Sequence, residues 1–77
     1  MNIPTYLDLR QARELLERMG VKFSIRQIKR AAEKNAAGQR KLPFFVDPID
    51  KRLKIEKGTL VQIYRELQNE AENNLRE

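Results

Sequence analysis

The chain has 77 residues, no cysteine, no histidine and a net charge of +5. That length sets one small domain, burying roughly 60% of the surface its unfolded chain would expose, and without cysteine no disulfide or thiolate metal site supplements the core. No apolar run approaches a membrane span, and Met1-Asn2-Ile3-Pro4 lacks the charge and apolar core of a signal peptide, so a soluble cytoplasmic protein is expected.

The placement of charge says more than its sum. Lys22 to Lys41 carries seven basic residues against Glu33, and Lys51 to Lys57 carries four against Glu56. The first 21 residues balance, and Thr59 to Glu77 is net acidic by two. Two basic foci on a small domain suit a polyanionic partner. A charged face that only keeps the protein in solution predicts the same composition, so the motifs must decide.

Residues 1–7 read as an extended lead-in, because Pro4 biases Ile3 away from helix. Tyr6 and Leu7 are expected to drop onto the core. Asp8 then caps a first helix, with Leu9, Ala12, Leu15, Leu16 and Met19 forming its apolar stripe. Arg10–Glu14 and Arg13–Glu17 are spaced as ion pairs on its exposed side. Gly20 fits the left-handed position that ends a helix, and Val21 should pack back on it.

The next helix starts with the same grammar. Leu7-Asp8-Leu9-Arg10-Gln11-Ala12 and Phe23-Ser24-Ile25-Arg26-Gln27-Ile28 both read apolar, cap, apolar, Arg, Gln, apolar. Ser24 and Gln27 make a capping box, and Phe23 and Ile28 a hydrophobic staple. Ile25, Ile28, Ala31 and Ala32 fall on one side, while Arg26, Arg30 and Lys34 recur every fourth residue on the other. The helix is expected to run from Ser24 to about Asn35, with Asn35 and Gly38 as stop residues. Gln39-Arg40-Lys41 belongs to an exposed basic loop.

Leu42-Pro43-Phe44-Phe45-Val46 and Arg52-Leu53-Lys54-Ile55 then read as a two-stranded hairpin, turning at Asp47-Pro48-Ile49-Asp50-Lys51. Pro43 belongs at a strand start or on an edge. A lone hairpin is unstable in water, so Phe44 or Phe45, Leu53 and Ile55 must rest on the helices. Gly58-Thr59 precedes a third helix with Leu60, Ile63, Tyr64, Leu67 and Ala71 on one stripe. Thr59 and Gln62 offer it a capping box, or it starts a turn earlier. Residues 69–77 read either as a helix extension or as a frayed tail.

Helix, turn, helix, basic loop, hairpin, helix is an ordered set. Three motifs carry a likeness: Tyr6-Leu7-Asp8-Leu9-Arg10-Gln11-Ala12-Arg13-Glu14-Leu15-Leu16, then Gly20-Val21 with Ser24-Ile25-Arg26-Gln27-Ile28-Lys29-Arg30, then Leu42-Pro43-Phe44-Phe45 with Arg52-Leu53-Lys54-Ile55 and Leu60. Over residues 6–67 the chain resembles the winged helix-turn-helix DNA-binding domains of the MerR and phage excisionase type. The resemblance implies a mainly α fold with a small β-hairpin as wing, in a single domain spanning 1–77. The turn Met19-Gly20-Val21-Lys22-Phe23, the loop 35–41 and the hairpin link are all longer than the tightest examples. A long coiled-coil helix and effector domain, as in MerR regulators, do not follow the motifs. The excisionase type, or a small plasmid or mobile-element DNA-binding protein, is therefore the closer comparison.

Under this resemblance Ser24, Arg26, Gln27, Lys29, Arg30 and Lys34 are the candidate recognition residues. Arginine can bind guanine bidentately, and either cation holds phosphate. Gln27 can read adenine, but its capping role competes. The Ser24 N–H at the helix start can hold a phosphate. Arg40, Lys41, Lys51 and Arg52, with Lys54, are the wing-side candidates. Phe44, Phe45, Tyr6 and Tyr64 are assigned to the core rather than to base stacking, since none alternates with cations.

Catalysis is not expected. The single serine is a cap, Asp47 and Asp50 are a turn pair, and no Gly-rich phosphate loop occurs. Neither cofactor nor metal is expected. The expected partner is double-stranded DNA, with self-association or cooperative binding on repeated sites, and no membrane or small-molecule substrate. The expected role is directing recombination or regulating transcription or replication for a mobile element. The alternative is a protein-interaction adaptor or inhibitor, using Gln62, Glu66, Gln68, Glu70 and Glu72 on the acidic last helix.

Overall fold

The computed structural model describes residues 3–75. The first two residues of the expected lead-in, and Arg76 and Glu77 of the tail, lie outside them. Three helices and a three-stranded antiparallel sheet follow in the order β1 (Tyr6–Leu7), α1 (Leu9–Arg18), α2 (Ile25–Ala32), β2 (Phe45–Val46), β3 (Leu53–Glu56) and α3 (Lys57–Leu75). The sheet order is β1-β3-β2.

The expected two-stranded hairpin is present as β2 and β3, and a third strand, not expected, joins it. Tyr6 pairs with Glu56 and Leu7 with Ile55, so the lead-in closes the far edge of the sheet. The Lys57 N–H donates to the Thr5 carbonyl at 2.8 Å and extends that ladder. On the other side Phe45 pairs with Lys54 and Val46 with Leu53. The alternation of a strand then decides the faces. Leu53 and Ile55 turn toward the helices, and Lys54, Glu56, Tyr6 and Phe45 turn outward. Tyr6 is 51% exposed and Phe45 42%. Their rings meet edge to face at 5.7 Å across the central strand. Both were expected in the core. Phe44 alone of the pair is buried, and Tyr64 is half-buried.

The core is Ala12 and Leu16 of α1, Ile28 and Ala32 of α2, Leu42, Phe44, Ile55 and Leu60. Leu9, Leu15, Val21, Phe23, Leu53, Ile63 and Tyr64 pack around it. Leu16, Ile28, Ile55 and Leu60 are the largest fully buried side chains. Each contributes about 1.5–3 kcal/mol over its exposed state.

Both helix starts follow the local grammar. In α1 the Gln11 N–H donates to Asp8 Oδ1 at 2.8 Å, and the Asp8 N–H donates to Gln11 Oε1 at 3.0 Å. The end of α1 is also local: Gly20 takes φ +90°, and the Val21 N–H donates to the Leu16 carbonyl at 2.8 Å. Met19, expected on the apolar stripe, is exposed as the C-cap. Neither Arg10–Glu14 nor Arg13–Glu17 forms an ion pair among the described residues.

The end of α2 is not local. The helix stops at Ala32, and Glu33 takes extended backbone. The chain returning from the loop satisfies the open carbonyls: Arg40 Nε donates to the Ala32 carbonyl at 2.8 Å, and the Leu42 N–H to the Ala31 carbonyl at 3.0 Å. Asn35 and Gly38, expected to stop the helix, build the loop instead. Asn35 Oδ1 accepts from the Ala37 and Gln39 N–H groups, and Gly38 takes φ +78°.

No loop separates β3 from α3. The Glu56 carboxylate accepts from the Gly58 N–H at 2.7 Å, the Thr59 N–H at 3.0 Å and the Thr59 hydroxyl at 3.2 Å. It is thereby held below its ordinary carboxylate range, the Gly58 bond being the largest cause. The helix thus starts a turn before the expected Thr59–Gln62 box. Gln62 bonds Glu66 further along the same helix. The helix continues to Leu75, with every residue from Arg65 on exposed. Leu67 and Ala71, expected on the packed stripe, lie on this exposed segment.

Candidate nucleic-acid interface

The α2 helix is short, and its core face is fixed by Ile28 and Ala32, both fully buried. Helical spacing sets Arg26 and Arg30 opposite them, and both are exposed. Lys34 lies past the helix end, so the expected three-residue stripe holds two. Lys29 stands 4.0 Å from Glu33, with both side chains more than half exposed. Such a surface pair contributes little. Ile25, expected on the apolar side, is 49% exposed.

Ser24 and Gln27 are occupied with each other. The Gln27 N–H donates to Ser24 Oγ at 3.1 Å, and the Ser24 N–H donates to Gln27 Oε1 at 2.9 Å. With Oε1 taken, Gln27 lacks the acceptor that a bidentate adenine contact needs. The Ser24 N–H is likewise engaged rather than open to a phosphate.

Two grooves flank α2. On one side Phe23, Gln27, Arg30, Lys41, Leu42 and Tyr64 enclose about 390 Å³. Burial pushes the Tyr64 phenol up from its ordinary value. Arg40 is half-buried beside this region, its Nε committed to the end of α2. On the other side Asp8, Arg10, Ile25, Lys51, Arg52 and Leu53 line an open groove of about 600 Å³. Arg10, Arg13 and Ile25 line a smaller continuation of it.

The hairpin turn is held by its own side chains. Asp47 Oδ1 accepts from the Ile49 N–H at 2.8 Å, and Asp50 Oδ1 from the Arg52 N–H at 2.9 Å. Lys54 Nζ reaches Asp47 Oδ2 at 3.3 Å and Asp50 Oδ2 at 3.0 Å. The backbone bonds are the largest cause holding both carboxylates below their ordinary range, and Lys54 adds to it. The same contacts, with Asp50 first, raise Lys54. Lys54 is therefore an internal counterion of the turn, while Lys51 and Arg52 stay exposed. Lys51 sits at φ +62°, the left-handed region that L side chains rarely adopt.

Among the expected candidates, Arg26, Lys29 and Arg30 are together on α2, Lys41 joins Arg30, and Lys51 and Arg52 face the start of α2. Lys34 is displaced. Arg10 and Arg13 were missed, because their spacing from Glu14 and Glu17 gave them another use. Their proximity to the hairpin turn is a tertiary fact with no local signal. Among the described residues no group of His, Cys, Asp and Glu is arranged to hold a metal ion. No helix among them is long and apolar enough to cross a membrane. Comparison of the chain with family models, curated proteins and solved structures finds no match.

Proposed function

We propose that this protein binds double-stranded DNA as a small winged helix-turn-helix protein of the MerR/excisionase type. The α2 helix enters the major groove, and the β2–β3 hairpin reaches the neighbouring groove or backbone. One observation carries the reading: Arg26 and Arg30 stand on the exposed face of a helix flanked on both sides by grooves lined with cations. Arg30 and Lys41 serve one flank, and Lys51 and Arg52 the other. The pairing of Asp47 and Asp50 with Lys54 supports it further, because it blunts the acidic charge beside those cations. The chemistry is binding. Its output is architectural or regulatory: directing recombination, or controlling transcription or replication for a mobile element. One such domain covers a short site, so cooperative binding on repeated sites or self-association completes the affinity.

Binding to random-sequence duplex DNA across salt concentrations tests the reading. Several phosphate contacts require a steep fall in affinity between about 50 and 200 mM salt. Arg26→Ala with Arg30→Ala should weaken binding and leave the helical signal intact. Absence of binding at low salt overturns the proposal.

A second reading has its own observation. The segment of α3 from Arg65 to Leu75 is exposed throughout, Leu67 and Leu75 included. An adaptor or inhibitor would present this acidic segment to a partner protein. Removal of residues 66–77 then abolishes function while DNA binding persists.

A further inference from the structure

We infer that α1 is part of the DNA-contacting surface, with Arg10 and Arg13 holding the phosphate backbone of the strand that passes between α2 and the hairpin. The inference rests on the DNA-binding reading above and adds a set of contacts to it. Three observations on the molecule converge.

The first is placement. Arg10 shares the open groove with Lys51 and Arg52, and Ile25 at the start of α2 forms its floor. Arg13, one turn further along α1, continues the same groove. Cations from α1 and from the hairpin turn thus face one channel, open along its length. A channel of this kind suits an extended polyanion more than a single enclosed ion.

The second is the state of those cations. Neither arginine is in an ion pair among the described residues, although Glu14 and Glu17 stand at the right spacing on the same helix. Lys51 and Arg52 are also without one. Phosphate oxygens meet the planar fork of an arginine with well-matched geometry.

The third is the treatment of the acids around the channel. Asp8 lines it, but its Oδ1 accepts from the Gln11 N–H at the start of α1. Asp47 and Asp50 at the turn are matched by Lys54. The acids nearest the channel are each tied to a donor of the fold, and the free donors belong to cations.

The opposite flank of α1 supplies a control. Arg18 shares that side with Gln11, Glu14 and Lys57, away from α2 and the turn. Removing it subtracts the same charge without touching the channel.

The test is duplex binding by fluorescence anisotropy over a salt series, for wild type, Arg10→Gln, Arg10→Gln with Arg13→Gln, and Arg18→Gln. Each lost phosphate contact lowers the slope of log K against log salt by about 0.9. Arg10→Gln should lower it by about one contact and the double variant by about two, equally on any duplex sequence. Affinity at low salt should fall roughly 5–10-fold per contact. Arg18→Gln should leave the slope unchanged. Arg10 is exposed, so its variant should fold, and the Arg10→Gln slope alone decides the test if Arg13→Gln melts. An unchanged slope in the Arg10 variants, with Arg26→Ala and Arg30→Ala still weakening binding, overturns this inference and spares the broader reading. An equal loss in Arg18→Gln also overturns it, because net charge alone then explains the effect. A wild-type protein that binds no DNA overturns both.

Discussion

Arg40 Nε donates to the Ala32 carbonyl at 2.8 Å, across eight residues of sequence. A residue whose neighbourhood reads as a basic loop is thus the cap of the helix it follows. A charge-assisted bond of this kind contributes about 1.5–3 kcal/mol. Arg40→Met should lower the melting temperature by several degrees, and a thermal melt by circular dichroism reads it directly. Its neighbour Lys41 is exposed at the groove beside Arg30. Lys41→Met should leave the melt unchanged and lower the salt dependence of DNA binding. If the two variants exchange these phenotypes, the division of labour is wrong.

The Ser24–Gln27 box predicts a stability effect without a specificity effect. Replacing an N-cap serine by alanine costs about 1 kcal/mol. Ser24→Ala should therefore lower the melting temperature by roughly 4–8 °C for a domain of this size. Gln27→Ala should destabilise less, and base preference on a defined site should not move. A Gln27→Ala variant that changes base preference at one position contradicts the capping assignment.

Lys51 offers a variant in which stability and binding move in opposite directions. Its backbone lies at φ +62°, a conformation that costs a residue with a Cβ about 1–2 kcal/mol. Glycine relieves that cost but removes the cation. Lys51→Gly should raise the melting temperature while weakening DNA binding. Loss of both would show that the side chain also supports the turn.

Acid and base should act on the same small turn. Asp47 and Asp50 lie below their ordinary value of 3.8, and Glu56 below 4.5. A carboxylate lowered on folding stabilises the fold above its unfolded value, and the contribution is lost as pH falls through the lowered one. Stability should therefore decline on acidification below about pH 4. Lys54 is raised above 10.5, so its contribution is complete below that value and is lost as pH rises through the raised one. The chain has no histidine, and melts across pH 5–9 should show none of the steps a titrating imidazole gives. Lys54→Met should reduce the alkaline loss to the part carried by the raised Tyr64 phenol. It should leave the acid limb largely in place, since the backbone donors of Ile49 and Arg52 are the larger cause there.

These residues also show what a sequence can disclose. The starts of α1 and α2 were legible because each cap is closed within four residues, Asp8 with Gln11 and Ser24 with Gln27. The end of α1 was legible for the same reason, at Gly20. The end of α2 was not, because Arg40 and Leu42 arrive from beyond the loop. The edge strand at Tyr6 was missed because it pairs with residues some fifty positions away. Phe44 and Phe45 read alike as apolar aromatics, and only the register of a two-residue strand tells the buried one from the exposed one. Of the candidate site, α2's cations and the hairpin's Lys51 and Arg52 were visible as charge. The channel that joins Lys51 and Arg52 to Arg10 and Arg13 exists only in the packed molecule.

The direct passage from β3 into α3 has a mechanical consequence. Glu56 is at once the last residue of a strand and the clasp on the first turn of a helix. β3 and α3 are therefore joined without a linker as one continuous arm, held on the core by the fully buried Ile55 and Leu60. The exposed end of that arm, from Arg65 to Leu75, is about 16 Å long at helical rise. With no linker between them, the direction of β3, which follows Lys51 and Arg52, is tied to the axis of α3.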